Sequence, residues 1–258
     1  MQSEEKSIQK LLWQNVWQVL AAIGFLLVVW WVAYLAVGNE LLIPKISDSV
    51  DEIGELLVTG VFWRGLAMSL LRALFAFVLS FLTALFFALV AYLYPSFVGF
   101  ITPIVSALRS LPVLAVLLIL LSFLGAGEAP IAVAFLSLFP MLYTGILTAL
   151  SSVDKQYFEM AKLQGASVGR RIVFVCLPLS SPYILREAGA ALSFSLKLVV
   201  SAEVLANTAK SLGGMMQEAK IYAEIPQLFA LVAASFIVGL VLELCINLLA
   251  IAVEKRVK

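Results

Sequence analysis

The sequence predicts an all-α membrane protein with six transmembrane helices. Of its 258 residues, 63% are hydrophobic and only 13% are charged, and the mean hydropathy is +1.06. A soluble domain contains about 45–50% apolar and about 25% charged residues. The apolar residues fall in runs close to the roughly 20 residues that one membrane-spanning helix needs. A water-soluble fold is therefore excluded, and residues 1–258 are expected to form one transmembrane domain.

Six apolar runs divide the chain. Their approximate bounds are 17–37, 66–93, 100–124, 129–150, 183–204 and 228–252. Helices are expected because backbone groups in lipid must satisfy their own hydrogen bonds, and the runs lack the alternating pattern of a membrane barrel. The first run is longer than the apolar core of a signal peptide, and no small-residue cleavage site follows it. It is expected to remain as the first span.

Lysines and arginines near the span ends indicate the orientation. One group would share a side of the membrane with the N-terminus: Lys6, Lys10, Lys155, Lys162, Arg170, Arg171, Arg186, Lys255, Arg256 and Lys258. The opposite side would hold only Lys45, Arg64, Lys210 and Lys220. Cytoplasmic segments of membrane proteins carry the excess of such cations. Both termini are therefore expected in the cytoplasm.

An amphipathic segment lies between the first two spans. Its apolar residues recur at helical spacing, at Ile46, Val50, Ile53, Leu57 and Val61. Ser49-x-x-Glu52 fits the capping box of a helix start. We expect a short helix on the outer surface, with a packing role favoured over a binding role.

A polar segment, residues 151–181, separates spans four and five. Asp154 is placed to cap a helix, whose apolar side would be formed by Phe158, Ala161, Leu163 and Ala166. Gly165 would let another backbone approach closely, and Gly169 would end the helix. Pro178 would then break the chain before the fifth span. A helix that exposes apolar residues to the cytosol is expected to have a partner.

This segment resembles a motif of the permease subunits of bacterial ATP-binding-cassette (ABC) importers. The motif reads Glu-Ala-Ala, three residues, Gly, nine residues, Ile-x-Leu-Pro. Matching residues stand at the same spacing at Glu159, Ala161, Gly165, Leu177 and Pro178. Met160 and Val175 depart from the motif but keep its apolar character. In that family the segment is a coupling helix seated in a groove of the ATPase subunit.

The resemblance extends over nearly the whole chain, toward the nitrate, sulfonate and taurine permease group. Further similarity lies at Leu42-Ile-Pro44, Ser69-Leu-Leu-Arg72, Pro103, Leu108-Arg109-Ser-Leu-Pro112, Phe123-Leu-Gly125-x-Gly127-Glu128, Ser152-Val-Asp154 and Ala202-Glu203-Val204. It implies the type I importer permease fold in a bacterial inner membrane. It also implies a homodimer of this chain, two ABC ATPase subunits and an extracytoplasmic substrate-binding protein.

The chain lacks the residues that several other function classes need. Histidine is absent, and Cys176 and Cys245 are isolated, so no catalytic triad and no metal site are expected. No phosphate-binding Gly-x-x-x-x-Gly-Lys-[Ser/Thr] loop occurs, because Leu66 follows Gly60 and Gly65. We expect no catalytic residues and no bound cofactor, with ATP and magnesium on the partner ATPase. The net charge of +1 gives no argument for binding to nucleic acid. Membrane lipid is expected to surround the spans.

Three cations and one carboxylate fall in or beside the spans: Arg72, Arg109, Lys197 and Glu203. A cation at the centre of a span costs roughly 2.5–3.5 kcal/mol, so its retention needs a reason. These four residues are candidates for a translocation path that attracts an anion. The alternative is structural: snorkelling, or pairing with Glu203, Glu128 or a helix end. The outer end of span five, with Asn207 and 210–214, is interpreted as plain loop, the alternative being a contact with a delivering protein or a gate of the path.

Two rival functions are less compatible with the sequence. A secondary transporter would show ion-binding acids near the middle of the membrane and an internal repeat. Only Glu243 approaches that description, and no repeat is visible. A membrane-embedded enzyme would need reactive groups that the spans lack. The sequence leaves the cargo open among nitrate, sulfonates, taurine and thiamine- or riboflavin-type molecules.

Overall fold

A computed structural model describes residue 21 and residues 23–257, and every regular element in this part of the chain is a helix. The helices are α1 (Ile23–Val37), α2 (Ile46–Val58), α3 (Gly60–Leu93), α4 (Pro95–Ser110), α5 (Val113–Ser151), α6 (Lys155–Leu163), α7 (Val168–Arg171), α8 (Leu177–Ala206), α9 (Leu212–Ile221) and α10 (Ile225–Val257). A π-helical turn, Ile172–Cys176, joins α7 to α8. Residues 17–20 and 22 of the first predicted span, and cations such as Lys6 and Lys10, lie outside the described residues.

The described residues form two compact units. The first unit comprises the residues up to Val58 together with Ala219–Ala230. Within it, the Trp30 indole N–H donates to the carbonyl of Pro44 at 3.1 Å, and the Trp30 ring packs on Phe229 with centroids 5.1 Å apart. The first contact holds α1 against the loop that precedes α2, and the second holds it against the start of α10.

The amphipathic helix between the first two spans is confirmed as α2. The predicted capping box is wrong, because the helix begins at Ile46 and Ser49 is already buried inside it. Burial raises the pKa of Glu52, and the neighbouring charges of Glu55 and Glu224 add to the rise. The acidic side of α2 is therefore crowded with like charges.

An exposed ion pair lies in the loop before α2. Lys45 Nζ lies 2.7 Å from Glu40 Oε1. Their mutual hydrogen bond and charge lower the pKa of Glu40 and raise the pKa of Lys45. Both residues are exposed, so solvent screens the pair and it adds little stability.

The second unit comprises Thr59–Glu218 and the residues from Leu231 onward. Its helix α3 is capped by Thr59, whose hydroxyl accepts from the Phe62 N–H. The buried side of α3 is a stripe of small residues: Ser69, Ala73, Ala76, Ser80, Ala84, Ala88 and Ala91. Small side chains let helix backbones approach closely in membrane bundles. This stripe packs α3 against α5 and α8.

Helices α5 and α8 form the centre of this unit. The largest fully buried side chains include Leu138, Leu142, Ile146 and Leu150 on α5, and Leu196 and Val199 on α8. The Ser195 hydroxyl of α8 also donates to the Ala73 carbonyl of α3 at 2.7 Å. Apolar packing and this buried bond hold α8 between its neighbours.

Span three, predicted as 100–124, is divided in the structure. Helix α4 ends at Ser110, and Leu111 and Pro112 adopt extended backbone before α5 begins at Val113. A proline in a helix interior lacks the N–H that the ladder needs. The chain therefore continues through two helices where one was expected.

Helix α5 contains a break at Gly125, where φ is +77° and ψ is 178°. Glycine adopts this conformation without the clash that a Cβ would cause. Five residues further along, Pro130 has no N–H to offer the carbonyl of Ala126. The Thr208 hydroxyl donates to that carbonyl instead, at 2.7 Å. The break therefore lies between the predicted bounds of spans three and four. The loop after α8 supplies the hydrogen bond that the Ala126 carbonyl would otherwise lack.

By length and composition, four helices in the described part can cross a membrane: Gly60–Leu93, Val113–Ser151, Val168–Ala206 and Ile225–Val253. Ile23–Val37 is apolar but shorter. Many large apolar side chains on these helices are exposed, among them Phe75, Leu82, Leu118, Phe123 and Leu244. Apolar residues facing outward are what a lipid environment requires.

Candidate functional site

Residues 151–181, which we call the coupling segment after the role that the resemblance implies, begin with a well-capped helix. The Asp154 carboxylate accepts from the Gln156 N–H at 2.9 Å, and its carbonyl accepts from the Tyr157 N–H at 3.1 Å. The predicted cap at Asp154 is confirmed. A side-chain cap fixes the first turn of a short helix that could not be stable alone in water.

The helix ends at Gly165, which has φ +76°. The Ala166 N–H donates to the Ala161 carbonyl and the Gly165 N–H to the Lys162 carbonyl, both at 3.0 Å. This pair of bonds is a Schellman motif, which favours glycine at the left-handed position. The prediction that Gly169 ends the helix is wrong, because Gly169 lies inside α7.

A close backbone approach at Gly165 is also not observed within the described chain. No atom lies within 4 Å of the position that a Cβ would occupy there. The backbone conformation, rather than a neighbouring backbone of the same chain, explains the glycine.

Helix α6 leaves its apolar residues uncovered. Leu163 is 88% exposed, and Tyr157 and Met160 are more than half exposed. These three residues follow at i, i+3 and i+6, so they lie along one side of the helix. Of the predicted apolar side, Leu163 is confirmed as uncovered, Ala161 and Ala166 are half-buried, and the side chain of Phe158 lies outside the described residues. Glu159 and Gly165 are exposed beside the apolar residues.

The second half of the motif lies inside the bundle. Leu177 and Pro178 are half-buried at the start of α8, and the preceding Cys176 is buried against the Leu150 carbonyl of α5. The expected chain break at Pro178 is wrong. The Leu177 N–H donates to the Ile172 carbonyl, five residues back, which makes a π-helical turn just before the proline. Such a turn absorbs the missing N–H, so the helix continues.

Arg72 and Glu203 form an ion pair between α3 and α8. Arg72 Nη1 lies 2.9 Å from Glu203 Oε1, and Glu203 is 0% exposed. The second carboxylate oxygen accepts from the Ser69 hydroxyl at 2.6 Å and from the Gly213 N–H at 3.3 Å. The Ser69 hydroxyl in turn accepts from the Leu212 N–H at 2.9 Å. We call these five residues the buried network.

The buried network fixes the start of α9. An added Cβ at Gly213 would lie 2.4 Å from the Cβ of Glu203 and 2.6 Å from the Val200 carbonyl, so only glycine fits there. The N-terminal N–H groups of a helix need acceptors, and the network supplies two of them. The interpretation as plain loop therefore holds for 210 and 211 but is wrong for 212–214, which form the first turn of α9 against α8.

Arg109 occupies a different place, at the end of α4. Its Nη2 donates to the Pro140 carbonyl at 3.3 Å and to the Thr144 hydroxyl. It also lines a cavity of about 140 Å³ with Ser137 and apolar side chains. The guanidinium therefore bridges α4 to the middle of α5.

Lys197 is exposed on α8 and lines another cavity, of about 280 Å³. Ser201 on α8 and Ser235 on α10 line the same cavity. Four residues before Lys197, the buried Ser193 hydroxyl makes no hydrogen bond within the described residues. The structure thus brings Arg72 and Glu203 together, whereas Arg109 and Lys197 line separate cavities.

Sequence reasoning missed the roles of two residues, Ser69 in the buried network and Thr208 at the break in α5. Ser69 precedes Arg72 by three residues, a spacing that places both on one side of a helix and that could have been read from the sequence. Thr208 has no such signal, since its acceptor is 82 residues away. In the described part of the chain, no group of three or more cysteines or carboxylates is placed to hold a metal ion.

Comparison with known proteins points to one family. The profile of the family described as binding-protein-dependent transport system inner membrane component matches residues 80–258. The taurine transport system permease protein TauC of Escherichia coli (strain K12) is 30% identical over 90% of this chain and 88% of its own length. The putative aliphatic sulfonates transport permease protein SsuC of Bacillus subtilis (strain 168) is 24% identical over 91% and 80%.

Solved structures share the fold. An amino acid ABC transporter with histidines aligns with a TM-score of 0.65 and 20% identity, over 76% of this chain and 96% of that chain. The MetNI methionine ABC transporter in inward-facing conformations aligns with a TM-score of 0.61 and 20% identity, over 77% and 96%. These alignments confirm the predicted type I importer permease fold.

Proposed function

This chain belongs to the family of binding-protein-dependent transport system inner membrane components, and we propose that it carries a small sulfonate-type anion across the bacterial inner membrane. It is a multi-pass permease of an ABC importer, and the family implies an ATPase partner and a substrate-binding protein. The proposal concerns what the family alone leaves open: the cargo, the route of energy input, the orientation and the stoichiometry.

The proposed route of energy input from the ATPase rests on the uncovered apolar side of α6. Tyr157, Met160 and Leu163 lie on a helix that is capped at both ends, yet these side chains are more than half exposed. Since the sequence has no phosphate-binding loop, ATP is hydrolysed on the partner, which binds ATP and magnesium. We expect α6 to be the docking helix for that ATPase.

The structure offers a mechanical path from α6 into the bundle. Before α6, the chain leaves α5 at Ser151, and after α7 and the π-helical turn it enters α8. Helices α5 and α8 share the fully buried core of the second unit. Force applied at α6 therefore reaches two packed helices, which move as rigid bodies because close-packed cores deform little.

The assembly is proposed as two copies of this chain with two ATPases and one extracytoplasmic binding protein. Both termini are placed in the cytoplasm, because the cation excess and the coupling segment then share that side. A homodimer places two α6 helices where the closure of two ATPase subunits can draw them together.

The cargo proposal rests on the relatives and on two cations. TauC is a taurine permease and SsuC is assigned to aliphatic sulfonates. Arg109 and Lys197 line cavities whose other walls are mostly apolar. A cation with few competing charges attracts an anion strongly because the local dielectric is low. Glu203 and Arg72 neutralise each other in a buried pair, so the proposed path excludes them.

The test is ATP-driven uptake in proteoliposomes that contain this chain, its ATPase and its binding protein. We expect uptake of a radiolabelled sulfonate to require ATP. Arg109→Gln and Lys197→Met are expected to lower its rate or apparent affinity, while Lys220→Gln, an exposed cation on α9, leaves both unchanged. Uptake driven by an ion gradient without the ATPase would contradict the proposal and favour a secondary transporter.

A further inference from the structure

The three candidate cations of the translocation path differ in whether the chain itself satisfies them. Arg72 pairs with Glu203, and Arg109 donates to a carbonyl and a hydroxyl of α5. The Lys197 ammonium makes no ion pair and no hydrogen bond with any described residue. We infer that Lys197 anchors a binding site for the sulfonate group of the cargo. The site rests on the proposed function and narrows it to one anion-binding cavity.

The Lys197 side chain is directed toward a neighbouring helix rather than toward a membrane surface. Lys197 lies nine residues before the end of α8 at Ala206, which is about 14 Å along the helix. Its Cε is 4.0 Å from the position that a Cβ would occupy at Gly239 of α10. A snorkelling lysine would instead follow its own helix toward the lipid head groups. The ammonium group therefore stays at a depth where an unpaired charge is unfavourable.

A second unsatisfied donor lies beside the same glycine. The buried Ser193 hydroxyl lies 3.5 Å from the Cβ position of Gly239 and makes no hydrogen bond within the described residues. The two other buried serines of α8, Ser180 and Ser195, each donate to a backbone carbonyl at 2.7 Å. Most buried polar side chains have a partner, so the exception needs an explanation. An ammonium and a hydroxyl thus present donors around one point on α10.

The cavity that Lys197 lines has the composition of a small-anion site. Its volume is about 280 Å³, its walls are mostly apolar, and none of its lining residues is acidic. Ser201, one turn after Lys197, and Ser235 on α10 add two hydroxyl groups to the walls. Apolar walls with a few placed polar groups are typical of sites for small molecules. The low local dielectric strengthens the attraction between the ammonium and an anion.

A sulfonate group matches this set of donors. Its three oxygens share one negative charge, the Lys197 ammonium has three N–H donors, and the Ser193 hydroxyl has one more. A neutral group of the same shape would leave the ammonium without a counter-charge, and a cation would be repelled. Because Gly239 has no side chain, room remains between the two donors and α10. The site therefore selects for negative charge and then for size.

A purely structural role for Lys197 would need a counter-charge within the protein. Glu243 is half-buried and lies one turn after Gly239 on the same side of α10. It forms no ion pair with Lys197. If Lys197 served Glu243, Lys197→Met would leave a carboxylate unpaired and would lower the melting temperature. If Lys197 holds an anion, removing it leaves the melting temperature unchanged or higher.

The test measures binding of radiolabelled ethanesulfonate by scintillation proximity on the complete permease–ATPase complex in lipid nanodiscs without nucleotide. Unlabelled ethanesulfonamide, a neutral analogue of similar shape, is expected to displace it poorly. We expect Lys197→Met to weaken ethanesulfonate binding about tenfold or more, because charge-assisted hydrogen bonds are lost. Lys220→Gln, which removes an exposed cation of α9, is the matched control and is expected to leave binding unchanged.

Two serines of α8 provide a matched pair. Ser193→Ala is expected to weaken ethanesulfonate binding about three- to tenfold without lowering the melting temperature, because its hydroxyl has no partner among the described residues. Ser195→Ala is expected to do the reverse, since it removes the hydrogen bond to the Ala73 carbonyl and lies away from the cavity.

Gly239→Ala keeps every charge and every hydroxyl. A Cβ at this position would be at ordinary contact distance from Ser193 and Lys197, so the protein is expected to fold. The methyl group fills the room beside the two donors, and ethanesulfonate binding is expected to fall.

Unchanged ethanesulfonate binding in Lys197→Met, Ser193→Ala or Gly239→Ala would overturn the inference. Equal displacement by ethanesulfonamide and by ethanesulfonate, or no saturable binding to the unaltered complex, would also overturn it. ATP-driven sulfonate uptake in proteoliposomes made from the same complex with its binding protein reports separately whether the proposed function stands.

Discussion

The coupling segment and the buried network differ in whether their side chains have partners within the same chain. In the network, a carboxylate that is 0% exposed has an arginine, a serine and a backbone N–H as partners, all from the same chain. In the coupling segment, the backbone is satisfied by caps at both ends, yet Tyr157, Met160 and Leu163 remain uncovered. A buried charge is unfavourable unless it is paired, and one that is fully paired within its own chain indicates an internal structural role. Apolar groups that are left open on an ordered helix indicate an external partner.

The largest effect is expected from breaking the network. Arg72→Leu leaves Glu203 buried without its counter-charge, which costs roughly 3–5 kcal/mol when a buried pair loses one member. We expect a large fall in thermal stability of the detergent-solubilised protein. Glu218→Gln serves as the control because that glutamate is exposed. A melting temperature for Arg72→Leu equal to that of the control would mean that the pair does not hold α3, α8 and α9 together.

The double substitution Arg72→Leu with Glu203→Leu sharpens this point. Replacing both charges by apolar groups is often close to neutral, because no unpaired charge remains. We expect the double variant to recover much of the stability lost by Arg72→Leu alone. Full loss of uptake by a stable double variant would return these two residues to the translocation path.

Thr208→Val tests a smaller part of the same region. It removes the donor to the Ala126 carbonyl, which Pro130 cannot replace, and an unsatisfied buried acceptor costs about 1–3 kcal/mol. We expect a moderate loss of thermal stability in Thr208→Val, whereas Thr208→Ser keeps the hydroxyl and should retain most of the stability. If the two variants have the same melting temperature, the hydrogen bond to the Ala126 carbonyl is not what stabilises the break at Gly125.

The two regions also differ in how far the sequence could predict them. The coupling segment is local, so its polar character, the cap at Asp154 and its motif were all visible from spacing. What failed there was the choice between Gly165 and Gly169, because either glycine suits a helix end and only the backbone shows which residue is left-handed. Pro178 was misplaced for a similar reason: a proline predicts a break, and the π-helical turn that avoids one leaves no mark in the residue pattern.

The buried network could be predicted only in part. Glu203 was one of three pairing partners considered for the intramembrane cations, and choosing it needs the packing of α3 on α8. The start of α9 at Leu212 was missed because its sequence, rich in glycine, reads as loop. Tertiary contacts decide such positions, since Gly213 is required by the approach of Glu203 and Val200 rather than by a turn.

Gly165→Ala is expected to act on the coupling segment alone. A residue with a Cβ in the left-handed conformation costs about 1–2 kcal/mol, which α6 can relieve by unwinding its last turn. We expect ATP-driven uptake to fall strongly while thermal stability of the bundle changes little. Gly169→Ala, inside α7 with open space around it, is the matched control and is expected to transport normally.

Glu159→Lys is expected to have the smallest effect on the permease itself. Glu159 is exposed, so the fold and the melting temperature should be unchanged. Reversing its charge beside the uncovered apolar residues is expected to weaken copurification of the ATPase and to abolish ATP-driven uptake. Normal uptake in this variant would mean that the ATPase does not dock at this side of α6.

The central claim is tested most directly by a photo-crosslinking amino acid placed at position 163 of the working transporter. Leu163 is 88% exposed, more than Tyr157 or Met160 on the same helix, and Phe123, on the outward side of α5, provides a control position. We predict that the probe at 163 crosslinks to the ATPase subunit and that the yield changes between nucleotide-free and ATP-bound states, whereas the probe at 123 crosslinks to lipid. A probe at 163 that attaches to the substrate-binding protein, or to no protein during turnover, would contradict the assignment of α6 as the point where the ATPase drives this permease.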